Sequence, residues 1–332
     1  MIVSRAPTRI TLGGGGTDLA SYYTKFGGFL IAAGINKYCT ILATRRFYNS
    51  IRLSYSAAEM VDRVEDIKHP IFKAALKMMH IDSRIELHST ADVPAGSGLG
   101  SSSSFTVALL NALHAYNRDY VNQRQLAEEA CRVEIDILHE PIGKQDQFMA
   151  AYGGLTCLTF EKNGEIIVES LHISDEMIEQ LENSLLLFFT GNERSASEIL
   201  SEQDTRSIAA DPEMLENLHK TKAIGLETRK YLENGDLNML GELFNVHWQN
   251  KKKRSKVMSN PKIDEAYEIA LKNGALGGKL IGAGGGGFLM FYCENGTKPK
   301  LIQAMQKVGL RWERFRFDHD GAKLMVNTLT KN

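Results

Sequence analysis

At 332 residues, 43% hydrophobic and 24% charged, the chain has the composition of a globular protein with room for one large or two ordinary domains. Thirty-nine basic against 40 acidic residues leave a formal net charge of -1, which excludes a global field drawing it to nucleic acid or an anionic membrane and favours a small-molecule ligand. The four cysteines, Cys39, Cys131, Cys157 and Cys293, form no C-x-x-C pair, so neither a zinc site nor a disulfide framework is expected.

In the first half, β-branched or alternating runs predict strands over Ile2 to Leu12, Phe29 to Ile35, Tyr38 to Thr44 and Arg84 to Ser89. Helices are expected over Ile71 to Met79, Phe105 to Tyr116 and Gln125 to His139, the last closed by Pro141. After a strand at Leu155 to Phe160, the polar stretch from Glu161 to Glu182 is the boundary that composition suggests, dividing the chain into 1–182 and 183–332. Beyond it a strand at Leu185 to Thr190 precedes helices near Ala196 to Gln203, Glu213 to Leu232, Leu237 to Trp248 and Pro261 to Lys272. Strand and helix then alternate through Lys279 to Ile281, Phe288 to Cys293, Lys298 to Lys307, Trp312 to Phe317 and Lys323 to Val326, which suggests an α+β or α/β second domain. Met1 to Pro7 lacks an apolar signal core, and no run reaches the roughly 18 apolar residues of a membrane span, so a cytoplasmic location is expected.

Glycine concentrates at three element edges. Gly13 to Gly16, followed by Thr17 and Asp18, exceed what a turn needs and let backbone approach a ligand. Pro94-Ala95-Gly96-Ser97-Gly98-Leu99-Gly100-Ser101-Ser102-Ser103-Ser104 opens an amphipathic helix, so its backbone N–H groups and the positive end of the helix dipole suit phosphate, and its serines can ligate a metal. One serine would suffice as a cap, and the missing G-K-[ST] ending excludes a Walker A loop. Gly282 to Gly287 satisfies G-x-G-x-x-G, but Phe288 to Tyr292 reads as a strand where a dinucleotide site needs a helix. That loop is expected to press its backbone against a bound ligand.

Asp146, between the amides Gln145 and Gln147 in a connection between helix and strand, is placed to orient or deprotonate a hydroxyl. Glu134 on the preceding helix suits Mg²⁺, which takes one or two carboxylates plus phosphates and water. His247 stands before the basic run Lys251 to Arg254, which is either a solvated face or a neutraliser of substrate phosphate.

In order and content these segments resemble the GHMP kinases, from about residue 5 to about residue 293. The resemblance implies an α+β, two-domain fold, with an amino-terminal domain like domain 2 of ribosomal protein S5 and a ferredoxin-like second domain. It implies Asp146 as catalytic base with Arg9 beside the reacting hydroxyl, Ser102 and Glu134 as Mg²⁺ ligands, and ATP phosphates on Pro94, Gly96, Ser97, Gly98, Leu99, Gly100, Ser101 and Ser102. Gly14, Gly15, Gly16, Thr17 and Asp18, with Gly284 and Gly285, would meet the acceptor. The Gly-Gly-Gly-Gly-Thr-Asp segment, Gly143 to Gln147, Thr190 to Ala196 and Gly277-Gly278-Lys279 most resemble the D-glycero-D-manno-heptose 7-phosphate kinases, which phosphorylate the anomeric O1. The acceptor's own phosphate would then need cations, for which Arg194, Lys253 and Arg254 are candidates and Lys279 a weaker one, since its ammonium can snorkel to solvent.

The expected partners are ATP and a small-molecule sugar phosphate, with no nucleic acid and no membrane, and a homodimer is left open. Rival readings are another sugar-1-kinase, fucokinase- or galactokinase-like, a catalytically silent ATP and sugar sensor, and an S5-like nucleic-acid binder.

Overall fold

The computed structural model describes residues 1–191 and 196–328, without the side chains of 196–198. In chain order the elements are β1 (Ile2–Gly13), α1 (Ala20–Phe26), β2 (Gly28–Arg45), β3 (Ile51–Ser54), β4 (Ala58–Val61), α2 (Pro70–Met78), β5 (Ile85–Ala91), α3 (Ser101–Asn117) and α4 (Gln123–Cys131). They continue as α5 (Gln145–Tyr152), β6 (Leu155–Phe160), β7 (Ile166–Ser170), α6 (Asp175–Ser184), β8 (Leu185–Phe189), α7 (Ala196–Ile208), α8 (Pro212–Asn234), α9 (Leu237–Lys252) and α10 (Pro261–Lys272). The last are β9 (Ala275–Leu280), β10 (Phe288–Cys293), α11 (Lys298–Lys307), β11 (Arg311–Glu313) and β12 (Lys323–Asn327).

Among the described residues, eight strands form the first sheet, whose spine is the antiparallel pair β1–β2. The two strands expected at Phe29 to Ile35 and Tyr38 to Thr44 are one. Asn36 and Lys37 look like a turn in the sequence but are extra residues of a bulge, because Thr8 pairs with Ile35 and the adjacent Pro7 with Tyr38. The bend lets the first half of β2 pair with β6 and the second half with β5. Helices α2 to α5 bury one face of this sheet in a core that includes Leu30, Ile41, Phe72, Leu109 and Phe148.

The second sheet is antiparallel in the order β11-β8-β10-β9, the 4-1-3-2 arrangement of a ferredoxin-like unit whose first crossover carries α7 to α10. Its central strands are apolar throughout because both faces are covered. Leu185, Leu187, Phe288, Met290 and Tyr292 face a core shared with Ile10, Leu12 and Phe29 of the first domain, while Leu186, Phe188, Leu289 and Phe291 face α10 and α11. This shared apolar layer fixes the two domains against each other and sets the cleft between them.

The division expected at residues 182 and 183 falls within the last turn of α6, which runs directly into β8 at Leu185. Strand β12 does not stay with residues 183–332 but returns to pair antiparallel with β1, Val3 opposite Val326. The stretch from Glu161 to Glu182 is also not a bare linker, for it holds β7, paired to β6, and α6, capped by Ser174.

Candidate active site

A cavity of about 370 Å³ lies between the domains and collects residues from all three glycine-rich segments. Arg9 enters from β1 and Asp146 from the first turn of α5, so the acid expected in a connecting segment sits on a helix start, where a negative charge is favoured. Arg9 Nε donates to Asp146 Oδ1 and Nη2 to Oδ2, both at 2.8 Å, and Nη1 donates to Gly98 O at 2.6 Å. Gln145 Nε2 also donates to Oδ1 at 2.8 Å, so Oδ1 carries two hydrogen bonds and Oδ2 one. Oδ2 therefore keeps an acceptor position. A Cβ on Gly100 would lie 3.1 Å from Oδ2, so a side chain there would crowd this acid.

Gly100 is the left-handed N-cap of α3 (φ 77°), and no side chain caps the helix. Its serines are occupied elsewhere or face the cavity. Ser104 Oγ donates to Pro7 O, and Ser102 Oγ donates to Glu134 Oε1 at 2.8 Å. Gly96, Gly98, Gly100, Ser101, Ser102 and Ser103 line the cavity, whereas the expected phosphate contacts Pro94, Ser97 and Leu99 do not. Ser97 and Leu99 are fully buried, the latter in the core between the sheets.

The helix expected to run to His139 widens after Cys131 into a π-helical turn, Arg132–Ile137, which presents Glu134 inward. Glu134 is 1% exposed, with Ser102 and Gln147 Nε2 (2.7 Å) on its oxygens. Burial raises its pKa, the Ser103, Ser102 and Gln147 hydrogen bonds oppose that, and the charge of Asp146 adds to it. No cation neutralises it among the described residues. A buried carboxylate beside a hydroxyl, both oxygen donors and lacking a counter-charge, fits Mg²⁺ held mainly by phosphates and water.

The first glycine segment divides in two. Gly14 is packed, not exposed to the cavity: at φ 81° its Cβ would fall 2.1 Å from Phe29 O. Thr17 is likewise structural, its hydroxyl bridging Gly14 O and Phe29 O. Gly15, Gly16 and Asp18 line the cavity. Asp18 accepts from Gly16 N (3.0 Å) and from Gln145 N (3.2 Å) at the start of α5, and burial followed by the charge of Asp146 raises its pKa.

The third glycine segment packs on the second, while its Gly282 and Ala283 also line the cavity. A Cβ on Gly282 would lie 2.5 Å from Gly98 Cα, and one on Gly287 2.1 Å from Ser97 O. Gly284 and Gly285, expected at the acceptor, pack on Met258 instead, through its sulfur and its carbonyl respectively. The basic run also splits by helical phase. Lys253 is exposed, and Lys252 reaches Asp264, while Lys251 and Arg254 are buried on the cavity wall. Arg194 lies outside the described residues. Lys279 is 2% exposed and donates to Leu12 O, so it does not snorkel. The i, i+4, i+7 spacing of His247, Lys251 and Arg254 was a readable signal for one inward stripe.

Residues 67–154 match the GHMP kinases N terminal domain and residues 228–309 the GHMP kinases C terminal domain, together spanning more than half the chain. The chain belongs to the GHMP kinase family. GHMP kinases use ATP as phosphoryl donor, and this member is a phosphotransferase. It is similar to the D-glycero-alpha-D-manno-heptose 7-phosphate kinase of Campylobacter jejuni, 31% identical over 97% of this chain and 98% of that one. The D-glycero-D-manno-heptose 1-phosphate kinase of Bacteroides thetaiotaomicron superposes with a TM-score of 0.81 at 25% identity, covering 98% of this chain and 99% of the other. Lactococcus lactis galactokinase shares the fold alone, with a TM-score of 0.76 at 21% identity over 97% of this chain and 94% of that one.

Proposed function

We propose that this GHMP kinase transfers the γ-phosphoryl group of ATP to the anomeric O1 of D-glycero-D-manno-heptose 7-phosphate, giving the 1,7-bisphosphate. The reaction serves nucleotide-activated heptose for bacterial surface polysaccharide, in the cytoplasm. The observation that carries the catalytic part is the position of Asp146 Oδ2 at the uncapped start of α3, only 3.1 Å from where a Cβ on Gly100 would lie, which sets a proton acceptor beside a helix end suited to phosphate. The Campylobacter jejuni relative supports the acceptor.

In this reading O1 forms its bond to the γ-phosphorus as the bond from phosphorus to the bridging oxygen of ADP breaks. The hydroxyl proton passes to Asp146 Oδ2. Arg9 holds the carboxylate in one orientation and supplies positive charge near the transferring group, and the N–H groups of the first turn of α3 grip the phosphates. Ser102 and Glu134 would hold Mg²⁺, which when bound neutralises phosphate charge. Gly15, Gly16, Asp18 and Arg254 would form the acceptor wall. ADP release measured with Mg-ATP and heptose 7-phosphate, heptose 1-phosphate, fucose, galactose, mevalonate and homoserine tests this. Turnover confined to heptose 7-phosphate is expected; equal turnover of fucose or galactose would remove the assignment.

A further inference from the structure

Helix α9 and the turn after it bring His247, Lys251 and Arg254 to one side, and β9 brings Lys279 beside them. All four are buried, at 3%, 7%, 4% and 2% exposure. Lys251 Nζ donates to Leu280 O (2.9 Å) and Gly282 O (2.5 Å). Lys279 Nζ donates to Leu12 O (2.6 Å) and meets His247 Nδ1 at 3.1 Å. Arg254 spends its guanidinium on Asn217 Oδ1, Gly15 O and Thr221 Oγ1. None of the four forms an ion pair with a carboxylate among the described residues, and Asp18 is the acid whose charge acts on Arg254. By contrast Arg9, in the same cavity, has Asp146.

Sequestering several cations without an anion is costly, because each loses its hydration with no opposite charge to replace it. Tying down carbonyls accounts for part of each lysine, since an ammonium has three donors and each lysine uses two on the protein. One donor on each remains. With His247 Nδ1 accepting from Lys279, the ring proton sits on Nε2, which adds another donor at the cavity wall. We propose that Lys251, Lys279, Arg254 and His247 are the seat of the phosphate monoester that the acceptor already carries, and that they make this phosphate a requirement for productive binding. The inference rests on the reading above that the acceptor is a sugar phosphate.

The chemistry supports a dianion rather than a neutral hydroxyl. Burial and mutual repulsion hold Lys251, Lys279 and His247 well below their ordinary pKa values, so the cluster by itself resists full protonation, and a phosphate would offset that repulsion with its own charge. An unphosphorylated sugar offers no such relief. A phosphoryl dianion has a second source here, the γ-phosphoryl group in transit from ATP, because Arg9 acts electrostatically on both lysines.

The test compares kcat/KM for heptose 7-phosphate and for heptose lacking the phosphate, in the wild-type protein, Lys279→Met and Lys251→Met. Losing a charged hydrogen-bond donor to a phosphate is expected to lower the preference for the phosphorylated sugar by about 10- to 100-fold, through the KM of that sugar rather than of ATP. Should the wild-type protein use heptose 7-phosphate and both variants keep its preference, the seat lies elsewhere while the functional reading stands. A wild-type protein indifferent to the phosphate overturns both. A loss expressed in the KM of ATP, equal for the two sugars, assigns the cluster to the transferring group and overturns the proposal. If the variants do not fold, inorganic phosphate inhibition of the wild-type protein decides: competition with the sugar phosphate is expected, and competition with ATP alone contradicts it.

Discussion

Arg9 grips Asp146 through two nitrogens, each 2.8 Å from a different carboxylate oxygen, and a third nitrogen of the same guanidinium holds Gly98 of the phosphate loop. One side chain therefore ties the proposed proton acceptor to the segment proposed to bind the phosphates. Asp146→Asn keeps the shape but removes the acceptor charge, so kcat is expected to fall by about 10²- to 10⁴-fold with ATP binding retained. Arg9→Lys cannot reproduce the fork and should also lose kcat. Single-turnover rates and ATP titrations check both, and a variant Asp146→Asn with near wild-type kcat removes Asp146 from the chemistry.

Glu134 is a buried carboxylate whose oxygens meet neutral donors. Glu134→Gln can keep the bond accepted from Gln147, with Ser102 turning to accept from the new amide, and withdraws the charge that would hold a cation, so the Mg²⁺ concentration for half-maximal activity should rise about tenfold or more. Titrating Mg²⁺ at fixed ATP measures it. An unchanged midpoint would leave Glu134 a structural residue.

Gly282 has φ 77°, and a methyl group there would meet Gly98 Cα at 2.5 Å. The left-handed conformation alone costs a non-glycine residue about 1–2 kcal/mol. Displacement of the phosphate loop by about an ångström can cost about 10²-fold in rate. Gly282→Ala should therefore raise the KM for ATP and lower kcat together, whereas Gly296→Ala, which meets nothing within 4 Å, should do neither. Equal kinetics for the two variants would show that the third loop does not buttress the second.

Buried Lys279 gives stability a pH signature. Its folded-state pKa lies well below the ordinary 10.5, so between those two values the unfolded chain binds more protons and unfolding becomes harder as pH rises. Relative to Lys279→Met, which lacks this term, the unliganded wild-type protein should gain stability from neutral pH towards about pH 10. Urea melts across that range test it. A stability difference independent of pH would mean that the lysine stays protonated in the fold.

Much of this was legible in the chain because the relevant signals are local. The bounds of α10 and β10, Pro261–Lys272 and Phe288–Cys293, follow from periodicity and flanking residues, and the phosphate loop announces itself by glycine and serine ahead of an amphipathic run. What stayed hidden depends on partners distant in sequence. Nothing local distinguishes Gly14, needed because Phe29 crosses it, from Gly15, which faces the cavity. Lys279 reads as a surface lysine until Leu12 and His247 are beside it. Strand β12 finds its place through pairing with β1 across almost the whole chain, a contact no window of neighbouring residues contains.

The most direct measurement is the position of the new phosphate. Heptose 7-phosphate incubated with the protein and Mg-ATP, then followed by ³¹P and ¹H magnetic resonance, should yield a second phosphorus signal coupled to the anomeric proton while the C7 phosphate signal persists. A new phosphate on any other carbon, or formation of ADP with the sugar unchanged, would contradict the assignment of Asp146 and its cavity to O1 transfer.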